Sequence, residues 1–444
     1  MSERFDLAVI GGGINGVGIA RDAAGRGLRV FLCDKGDLAG ATSSASSKMI
    51  HGGLRYLEQY DFKLVRESLA ERAVLLRSAP HLVRPMRFVL PHAPGLRPRW
   101  MMRAGLFLYD HLGGAGALPG TESIRLADDP RGAPLNGRAR HGFVYSDCVV
   151  DDARLTVAVA RDAALHGAEI ATRTALVAAR RGAGAWHLTL GDGREIETGI
   201  LVNAAGPWAA GVQRLAGLNS GARLRLVKGS HVVTRRLYDG DHAYLFQNDD
   251  RRVLFVIPYE RDFTLVGTTD IPYEGDPADA AISDAETEYL LAAASRWLRD
   301  PPREGDIVWR YAGVRPLYDD GAGSASAVTR DYVFDLDTDG APALSVFGGK
   351  LTTFRRLAEH ALDRLGIPGP WTATATLPRG REVGDELTDA DLRWFVDEEW
   401  ARTAEDVLWR RTKLGLTAGP DAAARLSARM AGAAGLPAGQ TAGR

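Results

Sequence analysis

The chain has 444 residues, too many for one simple core, which predicts two or three domains. Apolar content of 45% and charged content of 25% are ordinary for a globular protein, and a net charge of −1 excludes a global field that attracts nucleic acid. The two cysteines, Cys33 and Cys148, exclude a disulfide scaffold, and because no histidine lies at zinc-ligand spacing from either, we expect no metal centre.

We expect neither a signal peptide nor a membrane-spanning helix. The N-terminus has no basic segment followed by a long apolar one, and no window approaches about 18 consecutive apolar residues. The sequence therefore predicts a protein of a reducing compartment that is soluble or lies on a membrane surface.

The first elements form a βαβ unit. Residues 5–10 read as a buried strand, 14–25 as a helix, and 28–32 as a second strand that Asp34 follows. A carboxylate at that point can bind the ribose hydroxyls of a dinucleotide.

Between the first strand and the helix lies the pattern Gly11-x-Gly13-x-x-Gly16. Gly11 permits a tight turn, Gly13 lets the backbone approach a pyrophosphate, and Gly16 lets helix and strand pack closely. The helix N-terminus then presents N–H groups to the phosphates. The unit predicts a dinucleotide site.

Further elements follow along the chain, with a hairpin predicted at Asp192-Gly193. The predicted helices are 61–78, 153–166 (capped by Asp151), 286–298 and 352–365, and the predicted strands include 200–204, 253–257, 263–267 and 344–347.

Three distant features favour FAD over NAD. The Ser-rich loop 42–47 follows the acidic residue, the strand at 200–206 ends in small residues, and Gly348-Gly349-Lys350 precedes a helix. A helix start facing the flavin would stabilise its anionic reduced form.

The run Thr42-Ser43-Ser44-Ala45-Ser46-Ser47-Lys48-Met49-Ile50-His51-Gly52-Gly53-Leu54-Arg55-Tyr56-Leu57 resembles the aerobic, FAD-dependent sn-glycerol-3-phosphate dehydrogenases. The likeness covers residues 5 to about 380 and resumes over 399–413. The other runs that carry it are 145–148, 150–155, 228–231, 267–270, 313–317, 329–332 and 347–353.

The resemblance implies a fold like that of D-amino-acid oxidase: an α/β Rossmann-like FAD domain, an antiparallel-sheet substrate cap, and a C-terminal helical region. That last region is shorter here than the family pattern implies. The expected bounds are 1–56, 141–218 and 328–378 for the FAD domain, 57–140 and 219–327 for the cap, 379–430 for the helical region, and 431–444 for a disordered tail.

The resemblance also implies the activity: oxidation of sn-glycerol 3-phosphate to dihydroxyacetone phosphate, with electrons passing to membrane quinone. It implies a cytoplasmic enzyme, peripheral on the inner face of the cytoplasmic membrane, and a homodimer. Two alternatives stay open, an oxidase that uses oxygen and a non-catalytic FAD-binding protein.

The residues expected at the cofactor come from the glycine turn, Asp34, the Ser-rich loop and the later small-residue turns. They are Gly11, Gly13, Ile14, Asn15, Gly16, Asp34, Thr42, Ser43, Ser46, Ser47, Val177, Ala205, Gly206, Gly348, Gly349, Lys350, Leu351 and Thr352.

Two residues are expected to be catalytic. His51 is the candidate base or proton relay, since an ordinary histidine pKa near 6.5 suits proton transfer; packing on the flavin is the alternative. Arg315 is expected beside the substrate C2 oxygen, where a guanidinium stabilises developing negative charge; a salt bridge to a carboxylate such as Asp319 is the alternative.

The substrate phosphate needs cations and hydrogen-bond donors. The candidates are Arg55, Tyr56, Arg330, Lys350 and Thr352, and for each cation an exposed surface position is the alternative. The run 228–231 is interpreted as structural.

Residues 97–112 combine arginines with Trp100, Phe107 and other apolar side chains. Such a stretch suits the plane of a membrane interface, with a buried cap helix as the alternative. Because a quinone-reducing enzyme needs access to lipid, we favour the membrane interface.

Overall fold

A computed structural model describes residues 3–59, 61–113, 118–218, 223–250, 252–319 and 331–434. The strands are β1 Glu3–Ile10, β2 Val30–Cys33, β3 Met49–Ile50, β4 Val83–His92, β5 Glu122–Arg125, β6 His141–Val150, β7 Glu169–Ala171, β8 Leu176–Arg181, β9 Trp186–Leu190, β10 Glu195–Asn203, β11 Leu224–Arg235, β12 Ala243–Gln247, β13 Val253–Tyr259, β14 Phe263–Gly267, β15 Ile271–Pro272, β16 Ile307–Tyr318, β17 Val333–Asp337 and β18 Ala343–Phe347. The helices are α1 Ile14–Gly25, α2 Phe62–Ser78, α3 Arg99–Leu112, α4 Asp152–Leu165, α5 Ala209–Leu215, α6 Asp284–Ser295, α7 Phe354–Arg364, α8 Asp389–Asp397 and α9 Ala422–Ala434.

The first sheet is built around β1, whose last four residues are buried. The strand order is β17-β18-β10-β1-β2-β7, and the five strands from β18 to β7 are parallel. Helices α1, α4 and α7 pack together, and their apolar faces share one core with this sheet. Parallel strands covered by helices place the carboxyl ends of β1, β2 and β10 at one edge, where ligands bind in such sheets.

The second sheet is mainly antiparallel, in the order β15-β11-β14-β13-β12-β4-β6-β3, and β16 pairs with β11 along nearly its whole length. α6 packs on one face of this sheet and begins with a capping box in which Ser283 and Glu286 bind each other's backbone N–H. Strand β16 carries Arg315 towards the first sheet.

The C-terminal region comprises α8, a π-helical segment Asp406–Arg411, and α9. It has its own small core, in which Leu392, Phe395 and Val407 are buried. The α/β domain, the antiparallel cap and the helical C-terminal region confirm the predicted fold class.

The strands and helices differ from two of the expected domain bounds. We expected residues 141–218 in the FAD domain, but β6 belongs to the second sheet, because it pairs with β4 from His92–His141 to Val83–Val150. We propose that this segment of the FAD domain begins near Asp151, which caps α4. The expected tail from residue 431 is also displaced, since α9 continues to Ala434; residues 435–444 lie outside the described ranges.

Within the described ranges no helix is both long and apolar enough to cross a membrane.

Candidate active site

One cavity of about 3000 Å³ runs between the two sheets. Its walls come from the glycine turn before α1, the Ser-rich loop, the Gly348-Gly349 turn, and β16 of the second sheet. Typical small-molecule sites measure about 300–1,000 Å³. The cavity can therefore hold a dinucleotide together with a second, smaller molecule.

The glycine turn is built without room for side chains. Gly11 has a φ of +120°, and a Cβ there would lie 2.5 Å from the carbonyl oxygen of Ala204. A Cβ on Gly16 would overlap the carbonyl oxygen of Gly11. Gly16 therefore acts in packing and does not line the cavity, whereas Gly11 and Gly13 do.

Asp34 closes the other side of this turn. Its Oδ2 accepts the N–H of Gly12 at 2.6 Å and its Oδ1 accepts the N–H of Gly36 at 2.7 Å. Burial raises the pKa of Asp34, although the two backbone N–H groups oppose this. Each carboxylate oxygen keeps a second lone pair. The side chain lines the cavity and can accept ribose hydroxyls there.

The Ser-rich loop is fixed by a buried lysine. Lys48 Nζ donates to Asp152 Oδ1 at 2.8 Å and to the carbonyl oxygen of Ser44 at 2.9 Å. Ser46 Oγ donates to the other oxygen of Asp152 at 2.7 Å. Ser43 Oγ accepts the N–H of Ile14 at 2.9 Å, which shows that an oxygen acceptor fits at the start of α1.

The opposite wall is joined to α1 through Asn15. Its Nδ2 donates to the carbonyl oxygen of Gly348 at 3.1 Å, and its buried Oδ1 has no hydrogen-bond partner among the described residues. Gly348 and Gly349 have φ of +76° and +94°. A glycine cradle with an unsatisfied polar atom, opposite a carboxylate, fits FAD.

The residues predicted at the cofactor lie along this cavity, apart from Gly16 and Val177. The Val177 side chain is 50% exposed, while the preceding Ala175 and Leu176 line the cavity. The alternation of β8 explains this placement, because adjacent side chains in a strand point to opposite faces.

His51 lies in a turn on the cavity wall. Its backbone N–H donates to Thr352 Oγ1 at 3.2 Å, and its Nδ1 accepts the N–H of Gly53 at 3.1 Å. This hydrogen bond assigns the proton of the neutral ring to Nε2. Nε2 is then a donor, and His51 can accept a proton there only after the ring changes tautomer.

Arg315 lies on β16 over the cavity, where Gly229 leaves room for its guanidinium. Nη1 donates to Asp270 Oδ1 at 3.1 Å and Nη2 to Thr268 Oγ1 at 3.3 Å. The alternative partner, Asp319, instead pairs with Arg225 at 3.1 Å. Arg315 therefore has a carboxylate neighbour and still lines the cavity.

Three of the five residues predicted to bind the substrate phosphate line the cavity. Lys350 Nζ lies 4.0 Å from the centre of the Tyr56 ring, and both residues line the cavity with Thr352. The backbone of Arg55 lies in a 3₁₀ turn, but its side chain is outside the described part of the structure, as is all of Arg330.

His231, interpreted from sequence as structural, lies behind the cavity wall and does not line the cavity itself. It is 1% exposed, stacks on Tyr311 with ring centres 4.8 Å apart, and its Nε2 lies 2.9 Å from Ser47 Oγ of the Ser-rich loop. Burial, then the charges of Arg315 and Lys48, hold its pKa well below 6.5, so the ring is neutral. In the sequence, His231 was marked only as part of the run 228–231, which carries the family resemblance.

The other members of the run 228–231 do support a structural role. Lys228 pairs with Glu286 at 2.8 Å, and Ser230 Oγ donates to the same carboxylate at 2.7 Å. Asp270, the partner of Arg315, was also missed, although the resemblance had marked the run 267–270.

The sequence of residues 6–355 matches the family described as DAO, FAD dependent oxidoreductase. The chain is 49% identical to the glycerol-3-phosphate dehydrogenase of Pseudomonas aeruginosa, over 96% of this chain and 95% of that one. It is 48% identical to the D-erythritol 1-phosphate dehydrogenase of Brucella abortus, over 93% and 94%.

It is also 45% identical to the aerobic glycerol-3-phosphate dehydrogenase of Escherichia coli, over 96% of this chain and 97% of that one. This alignment spans 495 positions against the 444 residues here, so the relative carries residues that have no counterpart in this chain.

Two solved structures are similar in fold. The glycerol-3-phosphate dehydrogenase of Bacillus halodurans, complexed with FAD, has a TM-score of 0.65 at 27% identity, over 84% of this chain and 68% of that one. The L-alpha-glycerophosphate oxidase of Mycoplasma pneumoniae has a TM-score of 0.68 over 85% and 100%, and at 17% identity it shows the fold alone.

Proposed function

The chain belongs to the FAD-dependent oxidoreductase family, and from this premise we propose that it oxidises sn-glycerol 3-phosphate to dihydroxyacetone phosphate and passes the electrons to membrane quinone. The family confirms the predicted cofactor, FAD. The observation that carries the substrate proposal is that Arg315, Lys350 and His51 line the same cavity as the dinucleotide cradle.

FAD, when bound, accepts a hydride from the carbon of a secondary alcohol. Arg315 is positioned to hold the oxygen on that carbon, and its charge stabilises the oxygen as it becomes a carbonyl. Asp270 orients the guanidinium through the 3.1 Å contact with Nη1. His51 is the base or relay for the hydroxyl proton, which its Nε2 accepts after the ring leaves the tautomer that the Gly53 N–H favours.

Lys350 supplies a cation for the substrate phosphate from the end of the cavity nearest α7. The Tyr56 ring beneath its ammonium group limits where the group can move. Thr352 Oγ1 contacts both the backbone N–H and the carbonyl oxygen of His51, at 3.2 and 3.4 Å. We propose that this connection fixes the distance between the phosphate and the proton-transfer group.

The experiment that tests the activity is anaerobic addition of sn-glycerol 3-phosphate to the flavin-loaded protein. We expect the flavin absorbance near 450 nm to bleach within the time of mixing. A flavin that stays oxidised would leave an FAD-binding protein without this activity, which was the non-catalytic alternative.

A second candidate substrate is D-erythritol 1-phosphate, because a relative that is 48% identical is named as a dehydrogenase of that compound. Both compounds offer a phosphate and a secondary alcohol. The ratio of kcat/KM for the two discriminates between them, and we expect it to favour glycerol 3-phosphate.

For the electron acceptor we propose quinone reached from a lipid surface, on account of α3. Its exposed side chains include Trp100 at 71% and Phe107 at 52%, and Leu106 and Tyr109 are its two buried residues. This exposure favours the membrane interface over a buried cap helix. Trp100, Met101 and Leu108 also line the cavity, so α3 lies at its opening.

An amphipathic helix at the cavity opening is suited to bring a lipid-dissolved acceptor to the flavin. We propose accordingly that the protein is peripheral, on the inner face of the cytoplasmic membrane; the homodimer stays a prediction. Turnover with oxygen at the rate found with a soluble quinone would support the oxidase alternative instead.

A further inference from the structure

The C-terminal region contacts the cofactor cavity. Glu405, Trp409 and Arg410 line it, and the Trp409 indole stacks on Trp309 of β16 with ring centres 4.4 Å apart. We call residues 405–413 the C-terminal strap. It crosses from the first sheet to the second on the side where β2 ends.

The strap binds the loop that follows β2. Arg411 Nη2 donates to Asp37 Oδ1 at 2.8 Å, Arg411 Nη1 contacts Oδ2, and Arg410 Nε donates to Oδ2 at 2.6 Å. The exposed fractions of the side chains are 0% for Arg411, 2% for Asp37 and 12% for Arg410. Both oxygens of one buried carboxylate are thus held by two arginines of the strap.

A second carboxylate continues this network. Asp406 accepts from Arg173 Nη2 at 2.9 and 2.7 Å, and it also contacts Arg410. The backbone N–H of Arg173 donates to the carbonyl oxygen of Gly36 at 2.7 Å. The strap therefore reaches the same loop by two routes, directly at Asp37 and through Arg173 at Gly36.

The loop held in this way is part of the cofactor cradle. Asp34, Ala39 and Gly40 line the cavity, and the N–H of Ala39 donates to the carbonyl oxygen of Gly12 in the glycine turn at 3.1 Å. A buried carboxylate that loses its partners must move to water or take up a proton. If Asp37 moved out, the loop would leave the glycine turn and Asp34 would be displaced.

We propose that the C-terminal strap is part of the FAD site, with Arg410 and Arg411 as positioning residues that hold the loop 34–41 around the adenosine half of the cofactor. The strap sets how tightly FAD is retained. Arg411 acts indirectly, since it is fully buried and does not line the cavity, whereas Arg410 also lines it. This inference depends on FAD binding and not on the identity of the substrate.

The test compares Arg411→Met, Arg410→Met and Arg411→Lys in the full-length, flavin-loaded protein. Each variant is diluted serially, and both bound flavin per chain and turnover with glycerol 3-phosphate are measured against added FAD, so that FAD retention is read without relying on the substrate. We expect Arg411→Met and Arg410→Met to raise the half-saturating FAD concentration at least 10-fold. Arg411→Lys, which keeps one charge, should raise it less. Excess FAD should restore most of the lost turnover, with the KM for substrate changed less than twofold.

Arg429→Met is the matched control, because Arg429 pairs with Asp389 at 2.7 Å on the exposed surface of the same region. It should leave the half-saturating FAD concentration unchanged. If Arg411→Met does not fold, Arg410→Met decides the question. Unchanged FAD saturation, or lost turnover that excess FAD does not restore, would overturn the proposal.

ADP, which carries the adenosine half without the flavin, identifies the part of the cofactor affected. We expect ADP to compete with added FAD, and its inhibition constant to rise in Arg410→Met by the same factor as the half-saturating FAD concentration. An unchanged ADP inhibition constant would place the lost contact away from the adenosine and overturn the assignment.

Discussion

The hydroxyl of Tyr109 donates to Asp147 Oδ2 at 2.7 Å inside the protein. The same hydroxyl accepts the N–H of Gly52, the residue after His51, at 2.8 Å. Tyr109 is one of the two buried residues of α3. The helix proposed to lie at the membrane is therefore joined by one hydroxyl group to the turn that carries His51, the proposed proton-transfer residue.

Tyr109→Phe should weaken that turn. The change removes the closer acceptor of the Gly52 N–H, which keeps only Asp147 Oδ1 at 3.4 Å. It also removes one donor from Asp147, which keeps Arg72 Nη1 at 2.5 Å. A buried hydrogen bond contributes about 0.5–1.5 kcal/mol. We expect a lower unfolding temperature and a kcat reduced about 10-fold or more, since His51 loses its fixed position.

Tyr289→Phe is the control for this prediction, because Tyr289 donates to Asp250 at 3.0 Å from α6 and loses a hydrogen bond of the same kind. It should leave kcat unchanged. Equal kcat values for Tyr109→Phe and wild type would show that the turn does not need the hydroxyl.

Two substitutions distinguish proton transfer by His51 from a role as a hydrogen-bond donor. In His51→Asn the side-chain oxygen can still accept the N–H of Gly53, and in His51→Gln an amide N–H can reach the place of Nε2. If His51 transfers the proton, both variants lose about 10²–10⁴-fold in kcat. A His51→Gln enzyme within 10-fold of wild type would reduce His51 to a hydrogen-bond donor.

Arg315→Met should reduce turnover by about 10²–10³-fold, the usual effect of removing one donor that stabilises a reacting oxygen. FAD content should be unchanged, because the glycine turn and Asp34 do not contact Arg315. Arg310→Met, on the same strand and paired with exposed Glu304, is the control for strand β16. Turnover, KM and bound flavin per chain are the measurements. Near-normal turnover in Arg315→Met would remove Arg315 from the active site.

The sequence predicted those elements of the fold and the site whose structure depends on neighbouring residues. The strand before Gly11, the helix after Gly13 and the cap at Asp151 each depend on neighbouring residues alone. The turns at Gly11 and Gly348 follow from backbone conformations that favour glycine.

Contacts between distant residues were not predictable in this way. His231 contacts the Ser-rich loop because β11 brings it to Ser47. Asp270 faces Arg315 because β15 and β16 both pair with β11, at Lys228–Ile271 and Val227–Arg315. The placement of β6 depends on pairing with β4 across the 48 residues between His92 and His141, and no local pattern encodes that choice.

Removing the exposed apolar side chains of α3 should weaken binding to lipid. Burial of a large apolar side chain contributes about 1.5–3 kcal/mol, so Trp100→Ser and Phe107→Ser should each lower the partition into vesicles about 10-fold or more. Sedimentation with vesicles of anionic and neutral phospholipid measures this. Leu165→Ser, which changes a 66%-exposed leucine of α4, should leave binding unchanged. Equal sedimentation of all variants would contradict the proposal that α3 binds lipid.

Asp406 makes a pH-dependent contribution to stability through the strap. Burial disfavours its charge, but the backbone N–H of Arg402 and the charge of Arg410 outweigh burial and lower its pKa from 3.8 to about 2. A carboxyl whose pKa is lower in the folded state stabilises the fold above its unfolded pKa and loses that effect as the pH falls. The stabilisation, about 2 kcal/mol for a shift of this size, is thus full at pH 7 and fades between pH 4 and 2.

Asp406→Asn should unfold at a lower temperature than wild type at pH 7, and this difference should narrow at pH 3. Asp389→Asn, which breaks the exposed pair with Arg429, should show no difference at either pH. If the unfolding temperatures of Asp406→Asn and wild type differed equally at pH 7 and pH 3, the charge of the carboxylate would contribute nothing to stability.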